Sequence, residues 1–280
     1  MLKIIYTTGL TGFIGQYFLK KLLNEYDLVI NFGREKKITI YKPFSEPVNQ
    51  DFSLEFLEEY SADRLFHLAT YYNPNPTNTY EEELLKESNL NFPIALCKTL
   101  KNNGLKHIIA SSSYLQLLDS KYINLYSETK SKFIDWAKSE FDVTEIFLFD
   151  TFGNNDQRGK VLDVFIKNSI LNHDIYIPST RVDINLTHVE EIVDSFIYSL
   201  NLKPDRYMIM SNNQLTIKEL AESIVSIEKT YTKIKATLEG NNLIQNINSF
   251  PENIYVNTLK KDFNEQIKKR YDEIKQTYSI

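Results

Sequence analysis

Apolar and polar positions follow two rhythms along this chain. Short apolar runs of strand length occur at residues 2–6, 27–32, 63–70, 106–113, 146–149 and 207–210. Between them the apolar positions move to helical spacing. After the first run Phe18, Leu19, Leu22 and Leu23 share a face, with Lys20, Lys21, Asn24 and Glu25 opposite. Strand-length runs alternating with amphipathic helices predict an α/β fold built on a doubly wound parallel sheet. Thr216, with Glu219 three residues on, predicts a boxed helix start. From Leu259 to Tyr278 charged residues dominate and apolar ones are sparse, which predicts a surface helix. There are no internal repeats and no low-complexity linkers.

The first run ends in Thr8-Gly9-Leu10-Thr11-Gly12-Phe13-Ile14-Gly15. Three of the chain's eight glycines fall inside seven positions. Between a strand and a helix, the first glycine permits a tight turn and the second lets backbone approach phosphate. The third lets the helix pack close to the strand. A pyrophosphate there meets free N–H groups at the positive end of a helix. The expected cofactor cradle is therefore Gly9, Thr11, Gly12, Phe13, Ile14 and Gly15. The second run ends in Asn31, then Gly33 and Arg34, with no carboxylate until Glu35. An acid at that strand end accepts a ribose 2′-hydroxyl, whereas an arginine suits a 2′-phosphate. NADP(H) is the preferred expectation, with NAD(H) as the alternative.

Composition adds limits. A chain of 280 residues can bury a sizeable core. A net charge of −5 argues against nucleic acid as partner. One cysteine, Cys97, implies no disulfide framework and a reducing compartment. The first strand starts at Leu2, leaving no room for a signal peptide, and no apolar run approaches membrane-spanning length. The expectation is a cytoplasmic protein without a membrane partner. Four histidines are scattered, with none at ligand spacing, so no metal site is expected and His67 reads as a packed strand residue.

The fourth run ends in Ser111-Ser112-Ser113, and thirteen residues after Ser113 stands Tyr126-Ser127-Glu128-Thr129-Lys130. Residues four apart share a helix face, so Tyr126 and Lys130 point the same way. A phenol near pKa 10 becomes an acid–base group when a neighbouring cation draws its pKa down. A serine hydroxyl can hold a carbonyl beside both.

The order of these pieces, T-G-x-x-G-x-x-G, then strand-end serines, then Y-x-x-x-K opening a helix, resembles the extended short-chain dehydrogenase/reductase family, which includes NAD-dependent epimerases and dehydratases. The resemblance covers residues 3–225 and is strongest at 8–15 and 106–160. It implies Ser113, Tyr126 and Lys130 as the catalytic triad, with Ser112 as the fallback serine. Asp51 matches the position that contacts the adenine amine, or else caps the helix of residues 54–60. Phe52, Leu68, Ala69, Thr70 and Asn89 fall on segments that line the cofactor. Asp150-Thr151-Phe152-Gly153, followed by Asp156, Arg158 and Lys160, looks like reductases that make CDP-abequose and CDP-paratose. Asp150, Arg158, Lys160, Arg181, Tyr72 and Ser113 are thus the expected substrate residues; Arg158 and Lys160 either pair with a pyrophosphate or form a charged loop. Ile184 occupies the place of the arginine that binds pyrophosphate in the epimerases. The Asp-Glu pair of the 4,6-dehydratases is replaced by Tyr114 and Leu115.

By this resemblance residues 1–150 form a Rossmann dinucleotide-binding domain with a returning segment near 182–202, and residues 151–280 form mainly a substrate lobe. The implied activity is NADPH-dependent reduction of the 4-keto group of a nucleoside-diphosphate deoxysugar. An epimerase that retains NAD is the alternative, and a non-catalytic NADP-binding redox sensor the third reading. The family habit implies a homodimer, with Phe133 and Trp136 placed either at that contact or in the core.

Overall fold

A computed structural model describes residues 2–33, 37–212, 214–228, 230–237, 240, 242–247, 250–257 and 262–278. Arg34 lies outside the described residues. In chain order the first elements are β1 (Ile4–Thr8), α1 (Phe13–Glu25), β2 (Leu28–Phe32), β3 (Lys37–Tyr41), β4 (Val48–Asp51) and α2 (Leu54–Glu59). Then come β5 (Arg64–His67), α3 (Thr79–Lys86), α4 (Phe92–Lys101), β6 (His107–Ser113), α5 (Leu125–Glu140) and β7 (Asp142–Leu148). The second half holds β8 (Asp150–Phe152), α6 (Val161–Ile170), β9 (Ile175–Ile177), β10 (Asp183–His188), α7 (Val189–Ser199) and β11 (Arg206–Ser211). It closes with β12 (Gln214–Thr216), α8 (Ile217–Val225), β13 (Ile234–Ala236), β14 (Asn253–Asn257) and α9 (Phe263–Tyr278).

The large sheet runs β14-β11-β7-β6-β5-β1-β2-β3-β4. Its pairs are parallel except where β3 lies antiparallel between β2 and β4. In that hairpin at the sheet's end β3 alternates, with Ile38 and Ile40 buried, whereas β4, Val48-Asn49-Gln50-Asp51, has no apolar pattern to mark it as a strand. Helices cover both faces, so the inner strands read as continuous apolar runs. Strand parity divides the core: Ile108 and Ala110 pack with Leu96, Cys97, Phe133, Ile134 and Ala137, while Ile109 packs with Phe18, Leu22 and Phe196. Phe133 is thus core, with Trp136 packed against its edge.

Two small sheets, β12-β10-β8 and β13-β9, stand outside the large one. The chain returns to the large sheet more extensively than residues 182–202. Within that span β10 stays in the small sheet and α7 packs on α1, while β11 and β14 join the large sheet beyond it. Thr216 and Glu219 form the expected box at the start of α8. The tail departs from expectation: α9 is half-buried. Phe263, Ile267, Tyr271 and Ile274 make one stripe against Phe165, Ile166 and Leu220, and Tyr271 is fully buried. Four apolar residues at this spacing suffice to seat a helix whose remaining faces are charged.

Candidate active site

The glycine turn joins β1 to α1 where no side chain would fit. Gly9 has φ of +80°, and a Cβ there would lie 2.5 Å from the Ala69 backbone nitrogen. A Cβ on Gly15 would lie 2.2 Å from the Gly9 carbonyl oxygen. Gly12 caps α1 without a side-chain hydrogen bond, and the first turn has no acidic residue. The free N–H groups and open approach fit a dinucleotide pyrophosphate at this helix end. The Thr8 hydroxyl accepts from Ala69 N at 3.2 Å and lies 2.9 Å from His67 Nδ1, tying β1 to β5 beneath the turn. Asn31 Oδ1 accepts from Leu10 N at 3.1 Å. This amide braces the turn, a role betrayed in sequence only by a polar residue within an apolar run. Thr11 is exposed, while Phe13 and Ile14 are partly covered.

Asp51, the expected adenine contact, lies at the end of β4, two strands beyond β2, with its side chain 79% exposed and paired to Lys37. Asp51 is not the helix cap; Ser53 is, accepting from Phe56 N at 3.2 Å. Phe52 packs edge-on to Phe32 at 5.8 Å. Leu68 is buried, its N–H donating to the Thr8 carbonyl.

Asn89 sits in a π turn, Glu87–Asn91, between α3 and α4. Pro93 lacks an N–H for the Asn89 carbonyl four residues earlier and its ring would collide with it, which the wider turn relieves. The buried Asn89 amide accepts from Tyr71 N at 2.8 Å and Thr70 Oγ1 at 3.2 Å, and donates to the Tyr71 carbonyl at 3.0 Å. It therefore fixes Thr70, which hydrogen-bonds Tyr126.

Ser113, Tyr126 and Lys130 come together at the C-terminal end of β6. Asn124 and Ser127 form a reciprocal cap that starts α5 one residue before Tyr126. The Tyr126 hydroxyl is hydrogen-bonded with Thr70 and Ser113. Gln116 accepts from Ser113 N at 2.8 Å and donates to Ser131 on α5 at 3.3 Å, locking the serine turn to the helix. Parity excludes the fallback: Ser112 is turned away and donates to buried Glu145 at 3.0 Å. Lys130 Nζ lies 6.0 Å from the Tyr126 ring centre. Burial lowers the Lys130 ammonium to about 8, partly offset by the Glu145 carboxylate. The expected lowering of Tyr126 is not found. Burial pushes its phenol up, and the hydrogen bonds it shares with Thr70 and Ser113 offset only part of that. His67 is held neutral, near 3, by burial and then by the Lys130 charge. Among the described residues no group of three or more His, Cys, Asp or Glu could hold a metal ion.

The opposite wall comes from the loop after β8. Asp150 is raised by burial, against the pull of Lys160 and Arg158. Lys160 Nζ stands 4.1 Å over the Tyr72 ring, whose edge meets the Tyr126 ring at 5.0 Å. Arg158 is less available than its sequence position suggests. Its Nε and Nη2 donate to Asp156, Nη2 also to Thr151, and the guanidinium stacks 4.2 Å from Phe13. The two-pronged face is thus consumed internally, and Lys160 is the more available cation. Arg181 stands apart, paired with Asp183 at the far end of β10 from the Leu186–Asp150 pairing, roughly 10 Å along the strand.

A sequence model of the NAD dependent epimerase/dehydratase family matches residues 5–209. The chain is 26% identical over 234 residues to CDP-abequose synthase of Yersinia pseudotuberculosis, covering 77% of this chain and 81% of that protein. UDP-glucose 4-epimerase of Thermus thermophilus, solved with NAD, superposes with a TM-score of 0.70 at 14% identity, covering 97% and 98% of the two chains. RMD of Pseudomonas aeruginosa, solved with NADPH, gives 0.68 at 15% identity, covering 98% and 99%. At these identities the structural likeness is one of fold.

Proposed function

This chain belongs to the NAD dependent epimerase/dehydratase family and is an NAD(P)-dependent enzyme of the short-chain dehydrogenase/reductase type; from that premise we propose that it reduces the 4-keto group of a nucleoside-diphosphate deoxysugar, using NADPH. The observation that carries this reading is the buried Tyr126 between Thr70 and Ser113, its phenol pushed up by burial, with Lys130 on the same helix face. Ketone reduction consumes a proton at the carbonyl oxygen, and a neutral phenol is the group to give it. When bound, the nicotinamide supplies the hydride. Ser113 donates a hydrogen bond to the carbonyl oxygen, and Tyr126 gives its proton as that oxygen gains charge. Lys130 stabilises the phenolate left behind and holds the nicotinamide ribose. Gly9, Gly12 and Gly15 would leave room for the pyrophosphate, and Leu68, Ala69, Thr70 and Phe52 would line the rest of the cofactor.

A nucleotide-sugar substrate is supported by the CDP-abequose synthase relative, which is named for a CDP-linked sugar. Lys160, Tyr72 and Asp150 form the wall that would meet it. Tyr114 stacks on Phe149 at 4.8 Å and Leu115 is buried, so neither position offers the carboxylate that a dehydratase needs. The NADPH preference follows from Asn31, whose amide faces the glycine turn and leaves no acid at the end of β2. A homodimer through α4 and α5 belongs to the same reading; sedimentation at twice 32.8 kDa supports it, and the single-chain mass refutes it.

The test begins with the absorbance of purified protein, followed by addition of NADPH with a CDP- or dTDP-linked 4-keto-6-deoxysugar. Protein free of nicotinamide that oxidises NADPH stoichiometrically is the expected result. Protein that arrives with NAD bound and consumes no NADPH is an epimerase, and the proposal fails. Tyr126→Phe is expected to cut turnover by a factor on the order of 10²–10⁴ with little change in NADPH affinity.

A further inference from the structure

The loop of residues 153–160 carries Arg158 and Lys160 to the site, and its own backbone has little regular pairing to hold it. Asn155 and Gly159 both take left-handed conformations, at φ of +59° and +64°. The loop is fastened instead from the far end of the chain. Arg270, on α9 and only 5% exposed, donates through Nη2 to the Asp156 carbonyl. The same guanidinium grips Asp163 at the start of α6 with two bonds of 2.9 Å, and Nη1 reaches Glu273 at 2.7 Å. Glu273 in turn accepts from Asn155 N at 2.6 Å. From the other side the Tyr17 hydroxyl of α1 donates to the Asn154 carbonyl at 2.7 Å. Three successive residues of the loop, Asn154, Asn155 and Asp156, are therefore held through their backbone by side chains from α1 and α9. Asp156 then fixes Arg158 through its carboxylate.

None of these anchors touches Ser113, Tyr126 or Lys130. We propose that Arg270, seconded by Glu273, is a positioning residue for the substrate: it sets the loop that presents Lys160 and Arg158 to the nucleotide sugar, and so governs affinity for that substrate from the C-terminal helix. This rests on the reading of the site as a nucleotide-sugar site. A buried guanidinium with a bidentate carboxylate partner has a fixed direction, so its grip on the Asp156 carbonyl is directional as well. Loosening the loop displaces Lys160, the more available cation of this wall, and Arg158 with it, while the glycine turn keeps its own supports in Thr8 and Asn31.

The experiment uses the full chain and three variants, Arg270→Lys, Glu273→Gln and Tyr17→Phe. Arg270→Lys keeps the charge beside Asp163 but loses the fork; Glu273→Gln leaves one acceptor oxygen where the carboxylate had two, so Asn155 N and Arg270 can no longer both be served, and Tyr17→Phe removes one loop contact. Dissociation constants are measured separately for CDP, dTDP and NADPH, with amide hydrogen exchange of residues 153–160 in the same samples. The expected result for Arg270→Lys is faster exchange of the loop and about tenfold weaker nucleoside-diphosphate binding, with NADPH binding unchanged within about twofold. Glu273→Gln and Tyr17→Phe shift the same two readouts less. If Arg270→Lys fails to fold, Glu273→Gln alone decides. Equal weakening of nucleoside diphosphate and NADPH marks general destabilisation and overturns the proposal, as does unchanged loop exchange. Wild-type protein that binds nucleoside diphosphate but does not oxidise NADPH with a ketosugar refutes the reductase reading alone. Wild-type protein that binds neither CDP nor dTDP overturns both.

Discussion

Replacing Lys130 with methionine separates the cost of burying its ammonium from the chemistry it supports. Lys130 is 6% exposed, and its pKa falls from 10.5 to about 8, chiefly through burial. Below pH 8 the lysine is protonated in both folded and unfolded chains, so the penalty for burying charge is fully present. Between pH 8 and 10.5 the folded lysine loses its proton while the unfolded one keeps it, so stability rises with pH and the penalty fades. The shift corresponds to roughly 3 kcal/mol at pH 7, roughly 2 at pH 9 and roughly 1 at pH 10. Met fills a similar volume without charge, so Lys130→Met is expected to be more stable than wild type by about those amounts. Glu145 keeps Ser112 and Lys138 as partners in the variant. His67 titrates near 3 and stays out of this window. Urea unfolding of both proteins at pH 7, 9 and 10, with turnover measured in parallel, reads the effect; the variant should be inactive throughout. A variant no more stable at pH 7, or one whose advantage stays flat to pH 10, refutes the view that this lysine is a strained, buried ammonium retained for function.

Gly15→Ala forces a methyl against the Gly9 carbonyl and Leu10, and is expected to lose about 1–3 kcal/mol together with NADPH binding, read by calorimetry and fluorescence titration. Asn89→Ala leaves the Tyr71 N–H without its acceptor and frees Thr70; a loss of about 1–3 kcal/mol and a fall in turnover larger than any rise in KM are expected. Ser113→Ala should lower turnover by about 10²-fold or more, whereas Ser112→Ala should affect mainly stability, since Ser112 faces Glu145. Equal losses of activity for the two serines would contradict the parity argument.

The sequence by itself determined those features whose parts lie within one strand, one turn or one helix. The glycine turn was legible because its three glycines answer to local backbone sterics, and the Tyr126–Lys130 pair because four residues make one helical step. The doubly wound architecture followed from strand-length apolar runs alternating with helical spacing, and the box at Thr216 from two residues three apart. Tertiary structure alone decided which serine faces Tyr126, because that depends on the register of β6 against β7 and on Glu145 drawing Ser112 away. It alone decided that Asp156 and Thr151 occupy Arg158, that Asn31 braces the glycine turn, and that burial raises Tyr126. The charged tail read as surface for the same reason: Arg270 meets the Asp156 carbonyl across 114 positions of sequence. Local periodicity reports which face of an element is apolar. Which polar group meets which across the fold is set by the packing of whole elements, and desolvation in that packed state fixes the charges.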